Sequence, residues 1–275
     1  MLRRRKRDQR KPRPAVAPAQ PAATPLARRR PREGAPVPDC LRLDARRAGH
    51  SRADKLPPKA TQVILVTGFD PFGGESLNPS WEICRQLDGK LLGGARVVAC
   101  KAPCEFRRAI EVVAAAIREH RPRVVVSIGQ AGGRAHMSVE RVAINVDDAR
   151  IADNGGERPI DEPIAPHGPA AYFATVPVKA MVAAMRGAGV PAMVSNSAGT
   201  YVCNHLMYGV LHFIAASALD CRAGFIHVPY AEQQVLDKPA MPALALATMV
   251  RGLEAALEAA ITHDHDIKAS EGALD

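Results

Sequence analysis

Val124-Val125-Val126-Ser127-Ile128, closed by Gly129, is the stretch on which the fold turns. A short, unbroken apolar run bounded by glycine reads as a strand covered on both faces, the type found in parallel sheets. Just upstream, Glu105 to His120 carries Ala109, Ile110, Val113, Ala114 and Ile117 at helical spacing, and Pro122 ends the pattern. Further out, Val63-Ile64-Leu65-Val66-Thr67, ended by Gly68, repeats the strand signature. Downstream, residues 177–188 read as a helix and Ala192-Met193-Val194-Ser195 as a third strand. A long helix follows from about Tyr201 to Ala216, then a fourth strand, Gly224-Phe225-Ile226-His227-Val228, stopped by Pro229. An Ala/Leu-rich helix from Ala243 to Ile261 closes the pattern. Strands alternating with helices predict an α/β protein, three layers α/β/α around a largely parallel, mixed sheet. One domain over residues 61–262 accounts for it, with residues 263–275 as a C-terminal tail.

The charge is divided along the chain. Residues 1–60 hold 18 basic and 5 acidic side chains and ten of the 23 prolines, whereas the remainder holds 19 basic and 23 acidic. The first 60 residues therefore read as a disordered basic Arg/Pro/Ala-rich tail, with few apolar side chains to offset ordering entropy. A nucleic-acid-binding arm is the alternative for this segment. It lacks aromatic residues for base stacking, and a solvated extension is the preferred reading. No run of about 18 apolar residues suggests a membrane span. The six cysteines are irregularly spaced in a long chain, and no apolar segment follows the basic start as a signal peptide requires. The expectation is free thiols in the cytoplasm and no metal site, because no second Cys or His pair accompanies Cys100 and Cys104.

Ligands of open α/β sheets bind at the carboxyl ends of the strands. The first strand leads into Gly68-Phe69-Asp70-Pro71-Phe72-Gly73-Gly74, and the second into Gly129-Gln130-Ala131-Gly132-Gly133-Arg134. The third strand leads into Asn196 through Asn204, and the fourth carries His227. The glycine-rich turns match no phosphate-binding spacing, and the turn bearing Phe69 and Phe72 suits an apolar ligand better. Cys203 falls in the first turn of the helix from Tyr201, where the helix dipole favours an anion and can bring a thiol below its free value of about 8.5. The same placement suits an inert buried cysteine, and placement alone leaves the two readings level. Among the nine histidines only His227 sits at the end of a buried strand on this edge, which makes it the best-placed base for a cysteine nucleophile. A third group must orient the imidazole, and composition does not choose it.

Four segments carry a resemblance that does. They are Thr67-Gly68-Phe69-Asp70-Pro71-Phe72-Gly73-Gly74-Glu75, Glu140-Arg141-Val142-Ala143-Ile144-Asn145 with Asp148-Ala149-Arg150-Ile151, Ser195-Asn196-Ser197-Ala198-Gly199 through Cys203-Asn204, and Gly224-Phe225-Ile226-His227-Val228-Pro229-Tyr230. In order over residues 61–262 they resemble the pyroglutamyl peptidase I family, the pyrrolidone-carboxylate peptidases. These are cysteine exopeptidases that remove an N-terminal pyroglutamyl residue. The resemblance implies a catalytic Glu140, Cys203 and His227. It also implies a ring pocket of Phe69 and Phe72 with Asn78, Gln130 and Tyr201 near it, and Arg150 close to the active site. It further implies no cofactor, a cytosolic location, and a homo-oligomer, tetramer or dimer, acting on peptides with N-terminal pyroglutamate. Two features depart from the family pattern: the basic tail, and Lys101-Ala102-Pro103-Cys104-Glu105 in place of a more apolar stretch.

Two other functions fit parts of the chain. A small-molecule binder on the same fold would keep Phe69 and Phe72 without needing a thiolate, and iodoacetamide titration of Cys203 across pH separates it from an enzyme. The nucleic-acid-binding alternative rests on the tail alone, and salt-dependent DNA affinity before and after deleting residues 1–60 decides it.

Overall fold

The computed structural model describes residues 62–272; the basic segment 1–60 lies outside them. The elements run β1 (Val63–Phe69), α1 (Pro79–Leu87), β2 (Leu91–Leu92), β3 (Ala95–Ala102), α2 (Arg108–His120), β4 (Val124–Gln130), β5 (Met137–Glu140), β6 (Val142–Ile144) and β7 (Ala171–Phe173). They continue α3 (Val178–Gly187), β8 (Ala192–Ser195), α4 (Val202–Ala216), β9 (Arg222–Val228), β10 (Tyr230–Ala231), β11 (Ala243–Leu244) and α5 (Leu246–Thr262). Seven strands form the central sheet in the order β2-β3-β1-β4-β9-β5-β8. The core ladder β3-β1-β4-β9 is parallel, β2 joins antiparallel to β3, and β5 joins antiparallel to β9.

The two-residue alternation of strand side chains divides the interior into two layers. Ile64 and Val66, Val124 and Val126, and Ile226 and Val228 face α1, α3 and α5, against Ile83, Leu87, Met181, Met185, Leu253 and Leu257. Leu65, Val125, Ala223 and Phe225 face α2 and α4, against Ala109, Val113, Ile117, Leu206 and Val210. Each of these large side chains contributes about 1.5–3 kcal/mol by leaving water, which makes the two-sided sheet the stable solution. Gly68 is required at its position. A Cβ there would lie 2.6 Å from the Ser80 backbone, where the start of α1 crosses β1.

The four strands and four helices expected from periodicity are present. One direction differs. β8 pairs parallel to β5, which runs antiparallel to β9, so β8 points against β1, β4 and β9. The expected convergence of all four strand ends on one edge therefore does not hold for the third strand.

The segment after Thr262, expected as a tail, has no helix or strand but is pinned through residue 271. Asp266 accepts hydrogen bonds from the Lys179 and Ala180 backbone N–H groups at the start of α3 (2.9–3.1 Å), and Arg186 pairs with Glu271 at 2.6 Å. Pro177 at the N-cap provides no side-chain acceptor, so a distant carboxylate caps the helix instead. Asp266→Ala is expected to cost about 1 kcal/mol, a loss of roughly 2–4 °C in Tm, with activity unchanged. Thermal unfolding measures it, and an unchanged Tm would show that the cap contributes nothing.

Candidate active site

β4 and β9 end side by side, with Gly129 opposite His227 in the register, and Phe225 and His227 on the α2/α4 face. β5 runs antiparallel along the far side of β9 and sets Ser138 opposite His227 and Glu140 opposite Phe225. Glu140 is thus diagonal to His227 on the same face, and Oε1 meets the imidazole Nδ1 at 2.7 Å. The Glu140 side chain is 0% exposed. Burial acts to raise its pKa, but the hydrogen bond and charge of His227, with Ser195 and Arg134, outweigh it and hold the carboxyl below its ordinary value. A buried carboxylate on Nδ1 leaves Nε2 as the nitrogen free for proton transfer.

Cys203 reaches this point by a different route. After β8 the chain passes through Asn196–Thr200, where Gly199 adopts a positive φ of 81°. Asn204, buried in the first turn of α4, bonds the Ile144 N–H and the Ile144 and Val146 carbonyls and so fixes the start of the helix. Sγ of Cys203 then lies over Gly129: a Cβ added there would sit 2.7 Å from Sγ and 2.8 Å from the Phe225 ring. The missing side chain at 129, beside His227, is the space the thiol occupies. Gly129→Ala is expected to displace Sγ and lower kcat/KM about 100-fold, since misplacements near 1 Å at a reacting centre cost that much. Overpacking adds a stability cost of about 1–3 kcal/mol. Kinetics with a thermal melt check both, and wild-type activity would show that this contact does not position the thiol.

The electrostatics of the thiol differ from the expectation. Burial pushes the Cys203 thiol well above its ordinary value, Cys104 and Glu140 push the same way, and Arg134 opposes them. Loss of hydration, with Cys104 and Glu140, favours the neutral thiol, whose proton then needs a base at the moment of attack.

Both ring nitrogens of His205, two residues along α4 from Cys203, are already used. Nδ1 donates to Asp147 at 2.8 Å, and Nε2 accepts the Arg107 N–H at 2.7 Å. That leaves no nitrogen for a thiol proton. His227 keeps one.

The remaining expected residues fall into two groups. Phe69 is buried, 6.4 Å between ring centroids from Phe225, which is itself 4.9 Å from His227. Phe72 lies 6.1 Å from Tyr201, and Tyr201 meets Phe106 edge-on at 5.5 Å. The Gln130 amide oxygen accepts from Gln234, which leaves its NH2 for a ligand. Asn78 serves the scaffold. It caps α1, accepting from Ser80 N–H and Oγ, and donates to the Asp70 carbonyl, so it holds the loop that bears Phe69 and Phe72. Arg150 is exposed. Cys104, in the divergent stretch, is buried behind Cys203 with its thiol pushed up to about 12 by burial and then by Asp153.

Sequence reasoning assigned no role to Arg134, whose Nη1 donates to Glu140 Oε1 at 2.8 Å, or to Phe106. The position of Arg134 at the end of the turn after a buried strand was the available signal. Among the described residues no group of three or more His, Cys, Asp or Glu side chains is placed to hold a metal ion. No helix there is long and apolar enough to cross a membrane.

A thiol, an imidazole and a buried carboxylate gathered on an α/β/α sheet form the constellation of the thiol-dependent hydrolases. The family described as pyroglutamyl peptidase matches residues 62–263. The pyrrolidone-carboxylate peptidase of Escherichia fergusonii is 54% identical over 212 residues, covering 77% of this chain and 99% of that protein. That of Erwinia tasmaniensis is 51% identical over 210 residues, 76% of this chain and 98% of the relative. The crystal structure of pyroglutamyl peptidase I from Bacillus amyloliquefaciens superposes with a TM-score of 0.75 at 43% identity, over 76% of this chain and all of that one. The chain belongs to the pyroglutamyl peptidase family.

Proposed function

We propose that this chain is a cysteine exopeptidase that hydrolyses the bond between an N-terminal pyroglutamyl residue and the rest of a peptide, with Cys203, His227 and Glu140 as its catalytic residues. The observation that carries the mechanism is the 2.7 Å contact between Glu140 and His227 Nδ1, which leaves Nε2 to serve a thiol seated over Gly129. Nε2 takes the proton of Cys203 as Sγ attacks the pyroglutamyl carbonyl, and returns it to the departing amine as the C–N bond breaks. The acyl group remains on sulfur as a thioester. A water molecule, giving its proton to the same nitrogen, releases free pyroglutamate and restores the thiol. Glu140 fixes the tautomer and stabilises the imidazolium in both halves.

Phe69 and Phe72 provide the apolar walls for the lactam ring, and the free NH2 of Gln130 suits its carbonyl. The resemblance assigns Arg150 a place close to the site, and Tyr201 supports Phe72 at 6.1 Å between ring centroids. The catalytic unit is residues 61–262, and the resemblance extends the reading to a cytoplasmic tetramer or dimer, which light scattering tests. The activity test is release of aminomethylcoumarin from its pyroglutamyl conjugate beside the prolyl analogue, which lacks the ring carbonyl. Cleavage of the pyroglutamyl conjugate with discrimination of about 10⁴ over the prolyl one supports a pocket that pairs the ring's polar atoms. Equal cleavage of both, or of neither, refutes the reading.

A further inference from the structure

Glu140 Oε1 accepts two hydrogen bonds, one from His227 Nδ1 at 2.7 Å and one from Arg134 Nη1 at 2.8 Å. The carboxylate is fully buried, while Arg134 is 29% exposed and lines a cleft of about 440 Å³ with His136, Ser138 and Ser195. Resting on the triad reading above, we propose that Arg134 is a positioning residue whose charge on Glu140 keeps the Glu140–His227 pair free of a further proton, and so sets the acidic limit of activity.

The turn before Arg134 is built to aim it. Gly133 holds a positive φ of 87°, and Gly132 lies under the Tyr230 ring, where a Cβ would meet ring atoms at 2.3 Å. Neither place accepts an ordinary side chain without strain or collision. The glycines that match no phosphate-binding spacing therefore have a different use: they bring one guanidinium onto one buried carboxylate.

Burial is what makes this charge matter. A buried carboxylate beside a neutral imidazole carries an uncompensated negative charge, and such a pair tends to acquire a proton as a unit. Once protonated, the pair cannot take the proton of Cys203. A guanidinium at 2.8 Å supplies the compensating charge permanently, because arginine does not deprotonate in proteins.

The groups around the pair are few. Cys203 approaches from α4 with Cys104 behind it, and both thiols are pushed up. His136 comes from the same turn as Arg134 and is lowered by burial and then by that arginine. β8 presents the uncharged Ser195, and Tyr230 covers Gly132. The α1, α3 and α5 layer packs the opposite sheet face with apolar side chains. Arg134 is thus the cation in contact with Glu140 among the described residues.

The test is the pH profile of kcat/KM on the pyroglutamyl coumarin substrate for the full chain and its Arg134→Gln, Arg134→Met, Arg134→Lys and Arg134→Ala variants. Removing a positive charge raises the proton affinity of the pair, so in Arg134→Gln the acidic limb moves to higher pH by about one unit. Activity at pH 6 falls about tenfold, KM changes less than twofold, and the alkaline side recovers most of the rate. Arg134→Lys keeps the limb in place. Guanidinium ion added to Arg134→Ala returns the limb downward through the open cleft. His136→Asn leaves the limb unmoved, which separates its titration from the effect. Arg134→Met carries the same expectation as Arg134→Gln should the latter fold poorly. A uniform loss at every pH with the limb unmoved, or no change at all, overturns the proposal while leaving the triad intact. An active Cys203→Ala overturns the triad itself.

Discussion

Replacing Cys203 by alanine is expected to lower kcat/KM on a pyroglutamyl substrate by at least about 10⁵-fold and to leave the fold in place. The magnitude reflects the role. Without sulfur there is no thioester route, and what persists is binding and whatever polarisation the site retains, as when the nucleophile of another triad is removed. The small structural cost reflects packing. Cys203 is half-buried at the start of α4, and its helix is held by Asn204 and by Leu206 and Val210 in the core. A buried cysteine away from the site provides the control. Cys84 sits in the α1 layer on the opposite sheet face, so Cys84→Ala should change stability and leave kcat/KM within about twofold. Steady-state kinetics with circular dichroism reads both, and a Cys203→Ala enzyme that retains a hundredth of its activity would end the thioester mechanism.

The second large effect is expected at Glu140. Glu140→Gln keeps the shape but removes the charge, and kcat should fall about 10³–10⁴-fold with KM little changed. An amide can present its NH2 to Nδ1 and so favour the tautomer with its proton on Nε2, which cannot accept one from Cys203. It also withdraws the anion that stabilises the imidazolium. Stability should fall less than for most broken buried pairs, because Arg134 is partly exposed and can turn its charge to water. Since folding holds the Glu140 carboxyl below its ordinary value, its contribution to stability is present above the unfolded-state pKa of about 4.3 and is lost as pH falls through the folded value. Urea unfolding at pH 7 and at pH 4 should therefore show the wild-type advantage over Glu140→Gln shrinking at the lower pH. A Glu140→Gln enzyme with a tenth of wild-type kcat would mean that another group orients His227.

The parts of this protein that periodicity reveals are those whose burial is two-sided and continuous. β1, β4 and β9 are bounded apolar runs, and α2 carries its apolar stripe at regular spacing, so local pattern and final environment agree. β3 escaped because Lys101 and Cys100 interrupt its apolar character at a partly exposed end of the sheet, where pairing with β1 stabilises it instead. β5 escaped because Met137-Ser138-Val139-Glu140 puts polar residues on a buried face, a choice that makes sense only once His227 is known to lie across the ladder.

The site divides in the same way. Cys203 and His227 were legible by position, one in the first turn of a helix and the other at a strand end, and the aromatic turn was legible by composition. Glu140 was legible only by resemblance. Its pairing with His227 depends on an antiparallel strand that joins the sheet beside β9, and strand direction is decided by non-local ladder hydrogen bonds rather than by local residue preference. Which of two histidines is free to act as base, His227 or His205, depends on partners 87 and 98 residues away in the chain. The sign of the shift at Cys203 was decided the same way. A helix terminus is a local feature that favours the thiolate, but desolvation depends on what packs around Sγ, and Gly129, Phe225 and Cys104 come from three other parts of the chain. The sequence by itself determined the layers and pointed to Cys203 and His227 as candidates, because hydrophobic period and helix position are properties of contiguous residues. Which charges meet, which nitrogen stays free and which proton is held were decided by tertiary structure, because dielectric environment and hydrogen-bond partnership exist only after distant segments pack.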